Sequence, residues 1–331
     1  MKKISISTKT LLLMIQDAFF SPYIQGLDQE IKINVLSTIP QIIELTLDRK
    51  VKIINDRQQW QTLGIYDKAI DKQDEVLIEI SNFLKLCFQN IPELMIPFFQ
   101  QKMMLKFFEY IQQPESQTLA LLVWSEYLIT SKDQVKLQQF LPTLFSFASM
   151  KNLDLSPIAF DVIGNMFQCI EFESVDIENC YNFFKEEMLK PYIVDQDFSL
   201  IADHALIALT KIIMYHPKEL KKPDVLSFWF EMLPIWDASD ICDLVYAFLA
   251  SLLEEGNPYI LNEENFERII TLISSRAFSD FMEESTSIRF SNFIKSMAQT
   301  AGYSELMQSA YNSLNESNKT VFNKLLNYPE G

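Results

Sequence analysis

The sequence predicts an all-α protein built from pairs of helices. Apolar residues recur at helical spacing through most of the chain, and no alternating strand pattern of useful length competes with them. There are 6 Gly in 331 residues, well under the usual share of roughly 7%. Few glycines mean few tight turns and strand bulges, which suits helices. An apolar content of 48%, with 26 Phe and 13 Met, is ample for a helical core.

The first apolar stripe is "EIKINVLSTIPQIIELTL", residues 30–47. Residues 48–74 mix charges with little sustained periodicity and read as an irregular loop or linker, either a long loop or a linker helix within a repeat. Helical stripes then follow over 75–90, 95–111, 118–130, 139–149, 156–170, 180–193, 198–215, 225–236, 240–255 and 264–274. Residues 303–328 read as a short C-terminal cap.

Pro97, Pro142, Pro191 and Pro234 each stand beside bulky apolar residues in the first helix of a pair, at separations of 45, 49 and 43 residues. A proline inside a helix removes one backbone bond and bends or ends it, so a proline in a repeated place predicts a repeated bend. Periods near 40 to 47 residues with two helices each are the pattern of HEAT and armadillo arrays. One helix pair cannot bury its stripe alone, so neighbours must stack. The expectation is a single right-handed HEAT-repeat superhelical solenoid over 1–331, of about seven helix pairs.

The chain carries 28 Lys and Arg against 44 Asp and Glu, a net charge of −16. Such a surface repels nucleic-acid phosphates and attracts a basic protein partner; it also keeps a Phe-rich chain in solution. The opening "MKKISISTKTLLLMIQDAFF" imitates a signal peptide, but its apolar run covers Leu11 to Ile15 before Gln16 and Asp17 end it, which argues against one. No stretch approaches the ~18 uninterrupted apolar residues of a membrane span, so no membrane insertion is expected. Cys87, Cys169, Cys180 and Cys242 are scattered without a C-x-x-C pair, which suggests neither a zinc site nor a disulfide framework.

His204 and His216 both lie in "HALIALTKIIMYHP", where Ala205, Leu206, Leu209, Ile212 and Ile213 form an apolar stripe. Helix geometry puts the two histidines roughly 18 Å apart and about 120° around the axis from one another, so they cannot share an ion. Helical metal sites place ligands at i and i+4 instead. Both histidines read as residues of a packing helix. There is no G-x-S-x-G, no G-x-x-x-x-G-K-S/T and no G-x-G-x-x-G, so no enzyme activity and no cofactor are expected.

The window 199–261 supplies, in order, Lys211, Ile212, Tyr215, Pro217, Val225, Leu226, Trp229, Leu233 and Pro234, then "GNPYIL" at Gly256 to Leu261. This run resembles the C-terminal part of the importin-β (karyopherin-β) superfamily of nuclear transport receptors, especially the importin-β3 type. Members show there a helix ending in a lysine, small apolar residues and an aromatic before proline, then an exit loop, then V-L-x-x-W-x-x-x-L-P. The likeness runs collinearly over most of 75–327 and more loosely over 28–46. It implies a C-terminal HEAT-repeat portion, or a shortened relative, of a receptor that shuttles between cytoplasm and nucleus and carries basic protein cargo for nuclear import. Complete receptors of the family are much longer and bind the small GTPase Ran mainly through N-terminal repeats without a counterpart in this sequence. The acidic loop expected nearby is reduced here to 48–74. The family also contacts nucleoporin Phe-Gly repeats, for which Phe98–Phe99, Phe107–Phe108 and Phe183–Phe184 are candidate slots; the simpler reading is that adjacent aromatics span a helix seam. A general HEAT scaffold of the phosphatase-subunit or vesicle-coat type is the alternative function.

In a HEAT array the second helices line the concave face, and those expected here carry Trp124, Glu126, Asp161, Asp203, Asp240 and Asp243. A tryptophan beside carboxylates suits lysine or arginine side chains, through cation–π and charge-assisted contacts. These six are the candidate cargo-binding residues. Plainer readings stand beside them. Asp240 and Asp243 fall in a first helical turn, where a carboxylate stabilises the macrodipole by about 0.3–1 kcal/mol, and Trp124 in "ALLVWSEYL" suits a core.

Overall fold

The computed structural model describes residues 29–329 apart from 151, 189, 191–197, 239, 240 and 301. Among the described residues all regular structure is helical, with no strand. The chain divides into two compact units, Met1–Leu141 and Pro142–Gly331.

The first unit holds α1 (Gln29–Asn55), α2 (Arg57–Thr62), α3 (Tyr66–Asn90), α4 (Pro92–Phe98), a π-helical turn (Phe99–Met103), α5 (Met104–Tyr110), α6 (Gln117–Ser131) and the start of α7 (Gln134–Ala148). Helix α3 packs against both α1 and α6. Of the two alternatives for 48–74, loop or linker helix, the structure has helix, apart from a break at Asp56 and a turn at 63–65. Ile53 is its one fully buried residue, and half-buried Ile54, Trp60, Tyr66, Ala69 and Ile70 are interspersed with exposed charged side chains, so its apolar pattern is weak. Pro97 removes a backbone donor, and the helix expected over 95–111 loosens into the π turn two residues later. Phe99 stands at the centre of this unit's core, with ring centroids 5.6 Å from Phe88, 5.5 Å from Phe107, 5.7 Å from Trp124 and 5.0 Å from Tyr127.

The second unit holds α8 (Ser156–Cys169), α9 (Ser174–Met188), α10 (Ser199–Tyr215), α11 (Pro217–Leu220), α12 (Pro223–Glu231), α13 (Asp243–Glu254), α14 (Glu263–Arg276), α15 (Glu284–Gln299), α16 (Tyr303–Ser313) and α17 (Glu316–Leu326). Helices α8, α10, α13 and α15 lie side by side in that order, and their first residues are 43, 44 and 41 positions apart. Helices α9 and α12 pack against α10, while α16 and α17 close over α14 and α15. The contact of α8 with α10 is very close. A Cβ placed on Gly164 would stand 2.9 Å from the backbone Cα of Ala208, so this position takes no side chain without displacing the neighbouring helix.

Local signals set several boundaries. The side chain of Asn262 accepts from the Asn265 N–H at 2.9 Å and that of Asn315 from the Asn318 N–H at 2.8 Å, capping α14 and α17. Helix α12 ends at Glu231, five residues before the expected 236, because the residue ahead of Pro234 is pushed out of the helical region. The repeated bend is not found. Pro142 lies inside α7, Pro97 precedes the π turn, Pro234 follows a helix end, and Pro191 lies outside the described residues. Helix α15 has no counterpart among the elements expected from the sequence; its first turn, Glu284-Ser-Thr-Ser, is polar although Thr286 and Ser287 are buried, and its buried apolar residues, Phe290, Phe293 and Ile294, come later. No helix among the described residues is long and apolar enough to cross a membrane.

Candidate functional site

Of the five described residues among the six singled out from the sequence, Trp124 and Asp203 are buried. Trp124 is 1% exposed. Helix α6 is apolar nearly all round, so its indole meets neighbours on every side: Phe108 at 4.5 Å, Phe140 at 5.5 Å and Tyr127 at 5.6 Å between centroids. It is a core residue and offers no face to an incoming lysine. Glu126, on the same helix, pairs with Lys85 of α3 at 3.0 Å.

In the second unit the carboxylates tie one helix to the next. Asp161 on α8 meets Nδ1 of His204 on α10 at 2.9 Å. Asp203 on α10 is 2% exposed and accepts the backbone N–H groups of Trp236, Asp237 and Ala238 at 2.6–3.1 Å. Those donors lie 33 to 35 residues further on, in the loop ahead of α13. Burial outweighs these bonds and holds the Asp203 carboxyl above its ordinary range. Asp203 is therefore an internal staple, which corrects its assignment to a cargo-facing surface. Asp243 at the start of α13 accepts from the Glu283 N–H at 2.8 Å and the Thr286 hydroxyl at 3.2 Å, so it fastens the entry to α15. Asp240 lies outside the described residues.

The same seams carry further ties that spacing in the sequence did not reveal. Lys211 donates to Asn165 at 2.8 Å, Gln168 donates to the Tyr215 hydroxyl at 2.8 Å, and His216 Nε2 lies 2.7 Å from the Phe167 carbonyl. Arg289 on α15 forks onto Glu254 of α13 at 2.9 and 2.6 Å and also reaches Ser251 and the Ala247 carbonyl. That bidentate bond lowers the Glu254 carboxyl below its ordinary range. Each histidine thus has a structural partner on α8. Among the described residues, no three His, Cys, Asp or Glu side chains gather as a metal ion would require.

No protein-family model matches this chain.

The paired phenylalanines divide the same way in each case. Phe99, Phe107 and Phe184 are fully buried, while Phe108 is 39% exposed and Phe183 lies tilted against Phe145 at 4.4 Å between centroids. The inner member fills the core and the outer one lies at the helix seam. A surface feature missed by sequence reasoning is Trp236, 60% exposed, with the Arg276 guanidinium 5.6 Å from its ring and 4.2 Å from that of Phe281. The sequence reading placed Trp236 at the end of a helix, where a stripe position suggests core; in the loop after Pro234 it faces solvent.

Proposed function

We propose that this chain is a HEAT-type helical-repeat binding module of the nuclear import receptor kind, which holds basic protein segments along an extended surface. The observation that carries the reading is the constant step of α8, α10, α13 and α15, repeated by their ties: Asp161 to His204 spans 43 residues, Lys211 to Asn165 spans 46, Gln168 to Tyr215 spans 47 and Thr286 to Asp243 spans 43. Layers that repeat at about 40 to 47 residues are how HEAT arrays bury their stripes. The choice of a basic partner is supported by the net charge of −16, since after one-to-one pairing with every Lys and Arg a surplus of carboxylates remains. Exposed carboxylates such as Glu263, Glu264 and Glu267 on α14 belong to that surplus. Exposed ion pairs contribute only about 0.2–1 kcal/mol each, so the contacts must be many and dispersed.

A general HEAT scaffold is the second reading, and one observation favours it: Glu126, Asp203 and Asp243 are engaged within the fold and do not assemble an acidic groove. Titration with a lysine-rich peptide separates the two. Binding should be clear at low salt and weaken steadily toward physiological ionic strength, where the Debye length falls to roughly 8 Å. Absence of binding at low salt would sink the basic-cargo reading. Recovery of phosphatase or coat components from cell lysate, without basic nuclear proteins or nucleoporins, would then point to the scaffold.

A further inference from the structure

The exposed Trp236 is held in place from two directions. Its backbone N–H, with those of Asp237 and Ala238, is accepted by the buried Asp203 carboxylate. Its ring lies against the Arg276 guanidinium, 5.6 Å from centroid to Cζ. An indole that is 60% exposed and held at both backbone and ring has little rotamer freedom left to lose when a partner covers it. Tryptophan and arginine are also the residue types enriched at the energetic centres of protein interfaces.

Arg276 supplies the charge. It stands in the last turn of α14, where the helix end favours a cation, and it lies 4.2 Å from the centroid of the Phe281 ring. Stacking covers the flat faces of a guanidinium and leaves its edge donors. Arg268 directs such donors at main-chain carbonyls and Arg289 at Glu254. Those of Arg276 meet no carboxylate and no carbonyl among the described residues, and Nε is its one nitrogen that is both buried and unpaired. Nη1 and Nη2 therefore face solvent, and these two form the end-on fork that a carboxylate can reach. Asp237, next to Trp236, accepts from the Ser199 hydroxyl, while Asp280, next to Phe281, is exposed. Together with the net charge of −16 they repel a run of carboxylates. A partner that brings one carboxylate among uncharged residues meets the fork without that penalty.

We propose that Trp236, Arg276 and Phe281 form a docking point for a protein segment that presents a single acidic side chain beside an apolar one, with the carboxylate on the Arg276 fork and the apolar group on the Trp236 ring. The site is independent of the basic-cargo reading. The test titrates the full chain with the end-capped peptide Gly-Leu-Glu-Leu-Gly and its Gln and Lys counterparts. Affinity is read from the peptides' own NMR line widths, and the place of binding from the indole N–H signal of Trp236, assigned through Trp236→Phe. The Glu peptide should shift that signal and bind about three- to tenfold more tightly than the Gln peptide, the worth of one hydrogen bond; the Lys peptide should bind least. Arg276→Gln should erase the preference for Glu over Gln, and Trp236→Ala should weaken both peptides alike. Binding of a lysine-rich peptide should survive Arg276→Gln, so the two readings stand or fall separately. The Glu and Gln peptides are compared on the parent chain, so misfolding of a variant does not shield the proposal. It is overturned if the Glu peptide leaves the indole signal unmoved, if the Gln or Lys peptide binds as tightly as the Glu peptide, or if folded Arg276→Gln keeps the preference.

Discussion

The indole N–H of Trp229 donates to the hydroxyl of Thr210 at 2.8 Å, and both residues are 0% exposed. Thr210 passes its own hydroxyl proton to the Leu206 carbonyl at 2.7 Å, so a buried chain of two bonds joins α12 to α10. Thr210→Val keeps the shape and strands the indole donor. It should lower the unfolding free energy by about 1–3 kcal/mol, whereas Thr210→Ser should lose well under half of that. Equal urea midpoints for the parent and Thr210→Val would show that the bond contributes nothing net.

Gly164→Ala should destabilise although alanine is the better helix former by about 1 kcal/mol. Its Cβ would meet the Ala208 Cα at 2.9 Å, a backbone atom that cannot rotate away. Overpacking of this kind costs about 1–3 kcal/mol, so the net loss expected in chemical denaturation is up to about 2 kcal/mol. A more stable variant would mean that α8 and α10 separate freely.

Asp203→Ala removes the acceptor of three backbone N–H groups and should cost about 3 kcal/mol or more. The sign of its pH dependence follows from the raised carboxyl. A group raised on folding contributes stability that is full below its unfolded value, here the ordinary 3.8, and is lost as pH rises through the folded value. The gap in stability between the parent and Asp203→Ala should therefore be widest below pH 3.8 and narrow toward neutrality. A gap that widens with pH would show that the N–H bonds, and not burial, dominate the carboxyl.

Trp124→Ala should cost about 3–5 kcal/mol, as large aromatic deletions in a core do. Because the ring lies wholly within the first unit's core, affinity for a lysine-rich peptide, measured by calorimetry on the folded fraction, should not change. Weakened peptide binding with unaltered stability would restore Trp124 as a contact residue.

Much of the helical content was legible because helix formation is local: apolar residues at i, i+4, i+7 and i+8 mark the α10 stripe whatever lies beside it. The same stripe placed His204 on a packing helix, while His216 stands one residue beyond its end, as the cap of α10. The proline spacing was a poor guide, since Pro97, Pro142 and Pro234 stand in unlike places along their helices. Helices with a weak or late stripe were not legible. Residues 48–74 fully bury Ile53 alone, and α15 begins with four polar residues and shows its stripe, Phe290, Phe293, Ile294 and Met297, only in its second half.

Only the tertiary structure decided which side chains meet solvent. Asp161, Asp203 and Asp243 look alike in sequence as carboxylates on successive helices. One holds a histidine, one gathers three backbone donors from a loop 33 to 35 residues downstream, and one fastens the entry to the next helix. A helical period dictates which face a residue occupies; what covers that face is set by segments far away in sequence, whose arrival determines burial and therefore charge, hydrogen bonding and access.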